Sequence, residues 1–244
     1  THCISSAASD VYKRQVSRLL VSPLIQALKA NLGQMDYLDY MDSFRYPLAG
    51  EFSFRRDVLN DIRIPSDWSL EVGVLSEMYR NYANNRLCQV DIADNYDHKH
   101  QSLSVNDESK GLSKMSIDIA KGLFRKLATQ GVIFSQETFR SIKATYYRKA
   151  LDVIENCHND AVMNGLSLDV HEEEKAVEMF AQNIIKAGEI FTAIPMERPF
   201  LPSWNRVVSA IPDIYDQLIE AVDKDLKEFQ LAKTTVRPLK RASR

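Results

Sequence analysis

The 244-residue sequence contains only three cysteines, which lie far apart at Cys3, Cys88 and Cys157. No CxxC pair occurs, so we expect neither a disulfide framework nor a cysteine zinc site, and we expect a reducing compartment. No apolar run approaches the roughly 20 residues that span a bilayer. No secretory signal is visible, so the sequence predicts a cytoplasmic protein with no membrane partner.

Glycine and proline are also scarce, with eight of each, which excludes collagen-like and low-complexity disordered chains. Basic and acidic residues nearly balance, and the net charge of −2 gives no electrostatic argument for a nucleic-acid partner. Because 45% of the residues are hydrophobic and 26% are charged, the chain has ample material for one or two globular domains with a buried core.

The common short motifs of phosphate binding and hydrolysis are missing. The sequence contains no GxGxxG, no P-loop, no GxSxG and no HExxH. Function must therefore be sought in smaller groups of residues. Three such groups lie close together between Arg45 and Gln101.

The first 15 residues show no hydrophobic periodicity. They resemble translated sequencing-adapter sequence, so we expect a non-native leader over 1–15 and the native protein from about Val16; an ordinary flexible N-terminus is the alternative. Lysines and arginines without acids mark residues 233–244 as a basic tail, either solvated or in contact with a phosphate or partner.

Hydrophobic periodicity predicts mixed structure before residue 104 and helices alone from 105 to 232. Tyr37–Tyr46 looks irregular, and Leu87–Ile92 resembles a buried strand. Pro23 should kink or restart the first helix, Pro212 should interrupt the last, and Ser66 or Asp67 should cap the third. The predicted helices are Val16–Leu32, Arg55–Ile62, Ser69–Tyr82, Ser113–Thr129, Gln136–Asn159, Val170–Phe191 and Trp204–Leu231.

Four polar or turn positions are candidates for a functional site. His98 and His100 flank Lys99 after the predicted strand; neutral imidazoles beside acids can bind a divalent cation, although loop histidines are commonly surface residues. Glu71 either interacts with its own helix dipole or projects into a cleft to hold sugar hydroxyls. Gly50 would allow a ligand to approach the backbone, or it simply forms a turn.

Together these groups resemble the C-terminal half of the glucosyl-3-phosphoglycerate synthases and of the related mannosyl-3-phosphoglycerate enzymes. The resemblance covers nearly everything after residue 15. Its strength lies in the order and spacing of the groups. The matching residues are Val16–Leu19 with Pro23-Leu24, Pro47–Glu51, Asp67–Gly73, Gln89–Asp91, His98–His100, Gly111–Met115 and Trp204–Arg206.

The resemblance implies a GT-A glycosyltransferase fold, here an α/β remnant over 16–104, followed by a mainly α-helical, dimerisation-type domain over 105–232. It implies retaining transfer of a sugar from a nucleotide donor to 3-phosphoglycerate, with Mg²⁺ or Mn²⁺ bridging the donor diphosphate. UDP-glucose is the preferred donor and GDP-mannose the alternative.

The same resemblance assigns roles to individual residues. Glu71 corresponds to the acid that lines the donor-sugar pocket and acts in catalysis, and Leu48 and Gly50 correspond to the turn beside the nucleotide sugar. His98 corresponds to the metal ligand. Ser17 stands for a threonine that contacts the acceptor, and His100 takes the place of an asparagine on that side.

Two departures from the family pattern leave a second hypothesis open. Gln15 stands where the family has an acceptor-binding arginine, and the upstream Asp-x-Asp that holds metal and nucleotide is missing. The chain is therefore expected to be an inactive fragment of an active enzyme, or a non-catalytic helical assembly module derived from one. Apolar residues on the long helices, from Phe180 to Ile194, predict a homodimer in either case.

Overall fold

A computed structural model describes residues 15–90, 111–195 and 200–235, and side chains as far as residue 229. Nearly all regular structure within these ranges is helical. The α-helices there are α1 (Ser22–Leu32), α2 (Asp36–Asp42), α3 (Arg56–Asp61), α4 (Leu70–Asn81), α5 (Gly111–Ala128), α6 (Gln136–Met163), α7 (Val170–Ala193), α8 (Trp204–Ala210) and α9 (Ile214–Thr235).

A π-helical turn, Ser17–Val21, leads without a break into α1. Pro23 explains it, because proline has no amide hydrogen to donate to the carbonyl four residues earlier. In the π-turn the backbone N–H of Ser22 donates to the carbonyl of Ser17, which widens the helix just before the proline. The predicted irregularity at Pro23 is thus a π-bulge within a continuous helix.

The core lies among four helices and the π-turn. Helix α7 packs against α5 and α6, α1 packs against α6, and the π-turn contacts both α6 and α7. Leu19, Phe124 and Ile142 are completely buried at this junction. Helices α2 and α4 cover one side, with α2 against α1 and α4 against α5.

Local sequence accounts for the ends of the long helices. Ser135 caps α6: its hydroxyl accepts the N–H of Thr138 at 3.2 Å, while the Thr138 hydroxyl accepts the N–H of Ser135 at 3.3 Å. Gly131 and Gly165 follow α5 and α6 with φ values of 92° and 69°, a left-handed conformation that glycine adopts without strain. These two glycines therefore mark the turns that follow α5 and α6.

The chain divides into two compact units. The first comprises the described parts of Thr1–Ser53 and Arg63–Leu201, and it contains the core above. The second comprises Phe54–Ile62 and the described part of Pro202–Arg244, in which α3 packs against α8 and the Asn205 amide donates to Asp61 at 2.7 Å. None of the helices in the described ranges is long and apolar enough to span a membrane.

Several sequence predictions need correction in the described ranges. The four described residues of the expected strand, Leu87–Val90, form no strand, and Val90 is 72% exposed, so a buried strand there is wrong. The described residues show only an isolated bridge between Ile64 and Leu201, and no strand with which another could pair. The α/β character expected over 16–104 is therefore absent from the part described, and the expected boundary near 104 stays a prediction.

Two further corrections concern apolar side chains. Tyr37–Tyr46 is not wholly irregular, because α2 buries Tyr37, Leu38 and Met41 within it. Phe180 and Ile184, expected on a dimer face, are completely buried in the core of the first unit, whereas Ile194 is 58% exposed. Helices α5 and α6 use most of the apolar surface of α7, so a dimer interface must be sought elsewhere.

Replacing Gly188 by alanine should destabilise the protein. At an open helical site this change would stabilise the helix by about 1 kcal/mol. Here the new Cβ would lie 2.6 Å from Cγ of Phe139, whose ring is buried between α6 and α7 and cannot swing away. We expect the free energy of unfolding to fall by about 1–3 kcal/mol. Urea unfolding measures it, with the exposed Gln182→Ala on the same helix as control; an unchanged or raised midpoint for Gly188→Ala would contradict the close packing.

Candidate functional site

The Pro47–Glu51 turn borders a cavity of about 370 Å³ in the first unit. The Ala49 N–H donates to the Tyr46 carbonyl at 3.1 Å, and Pro47 is buried, which fixes the start of the turn. Leu48 is half-buried and packs against the core, while Gly50 is exposed with open space where a Cβ would be. The described lining comprises Phe44, Arg45, Tyr46, Pro47, Ala49, Glu51, Phe52, Leu75, Cys88, Gln89 and Val90.

Gln89 joins the third group of residues to the first. Its Oε1 accepts the backbone N–H of Arg45 at 2.8 Å, and its Nε2 donates to the carbonyl of Ser43 at 2.9 Å. Both bonds cross more than forty residues of sequence. The side chain therefore holds the segment that precedes His98 and His100 against the turn that contains Leu48 and Gly50.

Helix α4 begins with a different arrangement from the one predicted. Ser69 is the N-cap residue, and no side chain caps the helix. Asp67 instead accepts the backbone N–H of Ser69 at 3.0 Å and lies 3.5 Å from the Arg125 guanidinium on α5. Burial on its own would raise the pKa of Asp67, but the Ser69 hydrogen bonds and the Arg125 charge outweigh it and hold the pKa below its ordinary value. Asp67 thus anchors the start of α4 to α5.

Glu71 lies in the first turn of α4 and is half-buried. Desolvation raises the pKa of its carboxyl, although the helix N–H bonds oppose this. Leu75, four residues later on the same face of the helix, lines the cavity beside the turn. Leu70 is 38% exposed and does not belong to the buried face of α4. Glu71 therefore stands one turn from the cavity with a half-buried carboxylate that has lost part of its hydration.

The raised pKa of Glu71 predicts a pH-dependent stability difference. The folded state favours the protonated carboxyl of Glu71. Ionisation of this carboxyl therefore lowers the free energy of unfolding as the pH rises through and above 4.5, the ordinary pKa of the group. Glu71→Gln should therefore be at least as stable as the parent chain at pH 7, with the difference vanishing below about pH 4.5. Melting temperatures across pH 4 to 8 would measure it.

Glu137→Gln is the matched control, since Glu137 is an exposed glutamate in the first turn of α6 whose pKa is lowered by its helix N–H bonds. The expected stability difference has the opposite sign, because the folded state favours the ionised carboxylate of Glu137. Glu137→Gln should therefore be less stable than the parent chain at pH 7 and equally stable at low pH. A loss of stability for Glu71→Gln at pH 7 would show that the Glu71 carboxylate acts as an ordinary helix-start residue.

Ser17 lies away from this group. It is half-buried in the π-turn, beside Arg18, and it is not among the described residues that line the cavity. Arg18 is buried and forms a two-pronged ion pair with Glu173 of α7, one arm of which measures 2.8 Å. The structure thus brings the Pro47–Glu51 turn, Gln89 and α4 together, and it leaves Ser17 at a separate, rigidly held position.

The predicted metal ligand cannot be placed. His98 and His100 lie outside the described residues. Across the described ranges no group of three or more His, Cys, Asp or Glu side chains could hold a metal ion. These ranges therefore do not by themselves provide a site for Mg²⁺ or Mn²⁺.

Sequence reasoning missed the buried charges around α4. Glu77 is 4% exposed, and its carboxylate lies 3.7 Å from Arg63 and 3.5 Å from Arg80. Arg125 reaches Asp67 from a helix 58 residues away in sequence. The available signal was Glu77, the single charged residue in the buried run Val72–Met78, which a simple amphipathic pattern does not explain.

Two curated proteins are similar to the chain over most of its length. A glucosyl-3-phosphoglycerate synthase from Persephonella marina is 46% identical over 211 residues, which cover 86% of this chain and 52% of that protein. A glucosyl-3-phosphoglycerate synthase from Methanococcoides burtonii is 43% identical over 217 residues, covering 88% and 52%. No protein-family model and no solved structure matches the chain significantly.

These relatives agree with the resemblance carried by the Pro47–Glu51, Asp67–Gly73 and Gln89–Asp91 groups. Both are named for glucosyl transfer, so the mannosyl alternative is not favoured. The chain spans about half the length of the curated relatives it matches. Over most of its own length, this chain is a homologue of the glucosyl-3-phosphoglycerate synthases.

Proposed function

We propose that the chain is the C-terminal part of a glycosyltransferase that moves glucose from a nucleotide sugar to 3-phosphoglycerate and retains the anomeric configuration. The observation that carries this proposal is the similarity, at 43–46% identity over nearly the whole chain, to two proteins named for that reaction. The joining of the Pro47–Glu51 turn to Gln89 supports it, because these two groups of the resemblance line one cavity, together with Leu75 of the helix that begins in the third group.

In this proposal the donor sugar lies beside α4 and the turn. The half-buried carboxylate of Glu71 accepts hydrogen bonds from sugar hydroxyls, which would replace the water it has lost. The open backbone at Gly50, next to Leu48, lets the nucleotide sugar approach closely. The preferred donor is UDP-glucose.

The acceptor and metal sites extend to residues beyond those described. Ser17 and His100 are proposed to contact 3-phosphoglycerate, and His98 to bind Mg²⁺ or Mn²⁺ together with acids from the preceding half of a GT-A domain. We propose the cytoplasm as the compartment, in keeping with the free thiols of Cys88 and Cys157.

A donor-and-acceptor screen on the full-length protein tests the proposed reaction. UDP-glucose and GDP-mannose would each be offered with 3-phosphoglycerate, 2-phosphoglycerate or glycerate, and the products identified by mass. We expect a glucosylated product only with 3-phosphoglycerate. Turnover with GDP-mannose but not with UDP-glucose, or turnover without any phosphoglycerate, would contradict the proposal. A non-catalytic assembly module would give no product.

We also propose that the protein is a homodimer and that α9 provides the contact. The exposed apolar residues of α9 recur at three- and four-residue spacing and form one stripe, whereas its charged residues lie mostly on the other side. A helix with such a stripe is stabilised by packing against another apolar surface, and a second copy of α9 provides one. The stripe comprises Tyr215, Leu218, Ile219, Val222, Leu226 and Phe229.

Val222→Glu should weaken the dimer, because it places a charge at the centre of the stripe. We expect the dissociation constant of the dimer to rise at least about tenfold, because the interface would then bury one unpaired charge. Analytical ultracentrifugation measures this constant. Lys227→Gln makes the same change of net charge on the opposite side of α9 and should leave it unchanged. A parent chain that is monomeric at micromolar concentration would contradict the proposed dimer.

A further inference from the structure

A second cavity in the first unit, of about 830 Å³, lies beside the C-terminal halves of α4 and α5. It is separate from the cavity at the Pro47–Glu51 turn, and no described residue of that turn lines it. Its volume is in the range of small-molecule sites in proteins. Among its described lining residues, four are basic, namely Arg63, Arg80, Arg125 and Lys126, and Glu77 is acidic.

Among the described residues, the acids at this cavity are fewer than its cations. Glu77 serves two guanidinium groups at once, since Arg63 lies 3.7 Å and Arg80 3.5 Å from its carboxylate. Arg125 is held by Asp67 at 3.5 Å, with only 7% of its side chain exposed. The remaining positive charge lines the cavity on side chains that are partly exposed, so an anion that enters can reach it.

Of these four cations, Lys126 is the one whose charge is least neutralised by a nearby described acid. Its ammonium lies 5.7 Å from the centre of the Tyr37 ring, and it forms no ion pair or hydrogen bond with any described side chain. Burial, opposed by Glu77 and reinforced by Arg80 and Arg63, lowers the pKa of its amine. A half-buried ammonium in this position is stabilised when an anion enters.

The remaining described wall includes three aromatic residues, Tyr79, Tyr82 and Phe200. An organic molecule that carries a dianionic group fits such a surface, with its charged end on the cations and its carbon skeleton along the aromatic side. Lysine and arginine together are the usual ligands of phosphate, because they supply several charge-assisted hydrogen bonds to one group.

We propose that this cavity binds the phosphate group of a small phosphate monoester, held by Lys126, Arg80 and Arg63. The ligand is either 3-phosphoglycerate, as a second binding position apart from Ser17, or another phosphorylated metabolite that acts as an effector. The chemistry of recognition is the same in both cases. The site does not depend on the proposed transfer reaction, because its cations are described residues of this chain that lie outside the Pro47–Glu51 cavity.

Titration of the chain with inorganic phosphate, followed by calorimetry at constant ionic strength and with chloride as the reference anion, tests the site. We expect saturable binding at one site. Lys126→Gln should raise Kd about tenfold, the scale of one charge-assisted hydrogen bond. Lys143→Gln, which removes the same charge from a half-exposed site on α6, should leave Kd unchanged.

Two further arms make the result decisive. Arg80→Gln changes a side chain that is 49% exposed, so this variant should fold even if Lys126→Gln does not. It should also weaken phosphate binding. Titration with 3-phosphoglycerate separates the two sources: tighter binding than phosphate, with the same dependence on Lys126, identifies the acceptor. Absence of phosphate binding, or equal Kd values for all the variants, would overturn the proposal and leave the transfer reaction untouched.

Discussion

Replacing Glu173 by alanine is expected to lower the free energy of unfolding by about 3–5 kcal/mol, because it leaves the buried guanidinium of Arg18 without its carboxylate. Both side chains are nearly inaccessible, at 7% and 5% exposure. Burial on its own would lower the pKa of Arg18, but the hydrogen bonds and charge of Glu173 raise it above its ordinary value. Equilibrium unfolding in urea measures the loss.

The neighbouring ion pair provides the control. Glu172 bonds to Lys175 at 2.8 Å, but both side chains are about half exposed, so Glu172→Ala should cost no more than about 1 kcal/mol. The double variant Arg18→Met/Glu173→Leu should be more stable than Glu173→Ala, since it removes the charge together with its partner. Equal midpoints for Glu172→Ala and Glu173→Ala would show that the pair does not hold the π-turn against α7.

This ion pair also concerns the proposed acceptor site. Arg18 follows Ser17 in the π-turn, and Pro23 excludes the ordinary helical hydrogen bond that would straighten the turn. The Arg18–Glu173 pair and the hydrogen bond from the Tyr146 hydroxyl to the Leu19 carbonyl, at 2.7 Å, fix the turn to α6 and α7. Ser17 is therefore presented by a rigid segment, as a binding residue requires.

The second large effect is expected in catalysis. In the full-length enzyme, Glu71→Gln should lower kcat/KM about ten- to a hundred-fold, because the amide keeps the shape of the carboxylate but loses its charge-assisted bonds to the sugar. About 1.4 kcal/mol of transition-state stabilisation corresponds to each factor of ten. Initial rates with UDP-glucose and 3-phosphoglycerate, over a range of both, would measure the change.

Glu137→Gln is again the matched control, as a first-turn glutamate of a helix that does not line the donor cavity. Its kinetics should equal those of the parent enzyme. If Glu71→Gln leaves kcat/KM unchanged while lowering the melting temperature, Glu71 is a helix-start residue and not a binding group.

The long helices could be predicted from the sequence because each buries a broad apolar face. The predicted Ser113–Thr129 and Val170–Phe191 correspond to α5 and α7 within two residues at each end, and Pro212 separates α8 from α9 as expected. Periodicity of 3.6 residues is strongest in such segments, and Gly131 and Gly165 mark where they end.

Short elements were harder to predict because their structure depends on distant partners. Helix α2 has only seven residues, and it is stabilised by contacts far along the chain, such as the Tyr37 hydroxyl with Ser76 at 2.8 Å and the Tyr40 hydroxyl with the Leu75 carbonyl at 3.1 Å. The pattern in Leu87–Ile92 suggested a strand, but a strand needs a neighbour, and the described ranges contain none.

The candidate site could be predicted only in part. The order of its three groups indicated that they belong together, but no periodicity indicates that Gln89 bonds to Ser43 and Arg45. Pairs such as Asp67 with Arg125 also join positions far apart in sequence, so only the folded chain brings them together.

Measuring glucosyl transfer by the full-length protein tests the central claim most directly. The measurement is release of the nucleoside diphosphate from UDP-glucose, with and without 3-phosphoglycerate, together with the mass and anomeric configuration of the product. The proposed function predicts release that requires 3-phosphoglycerate and matches, mole for mole, a glucosylated phosphoglycerate of retained configuration. Release that is independent of the acceptor, or the absence of a glucosylated product while the protein is folded, would contradict it.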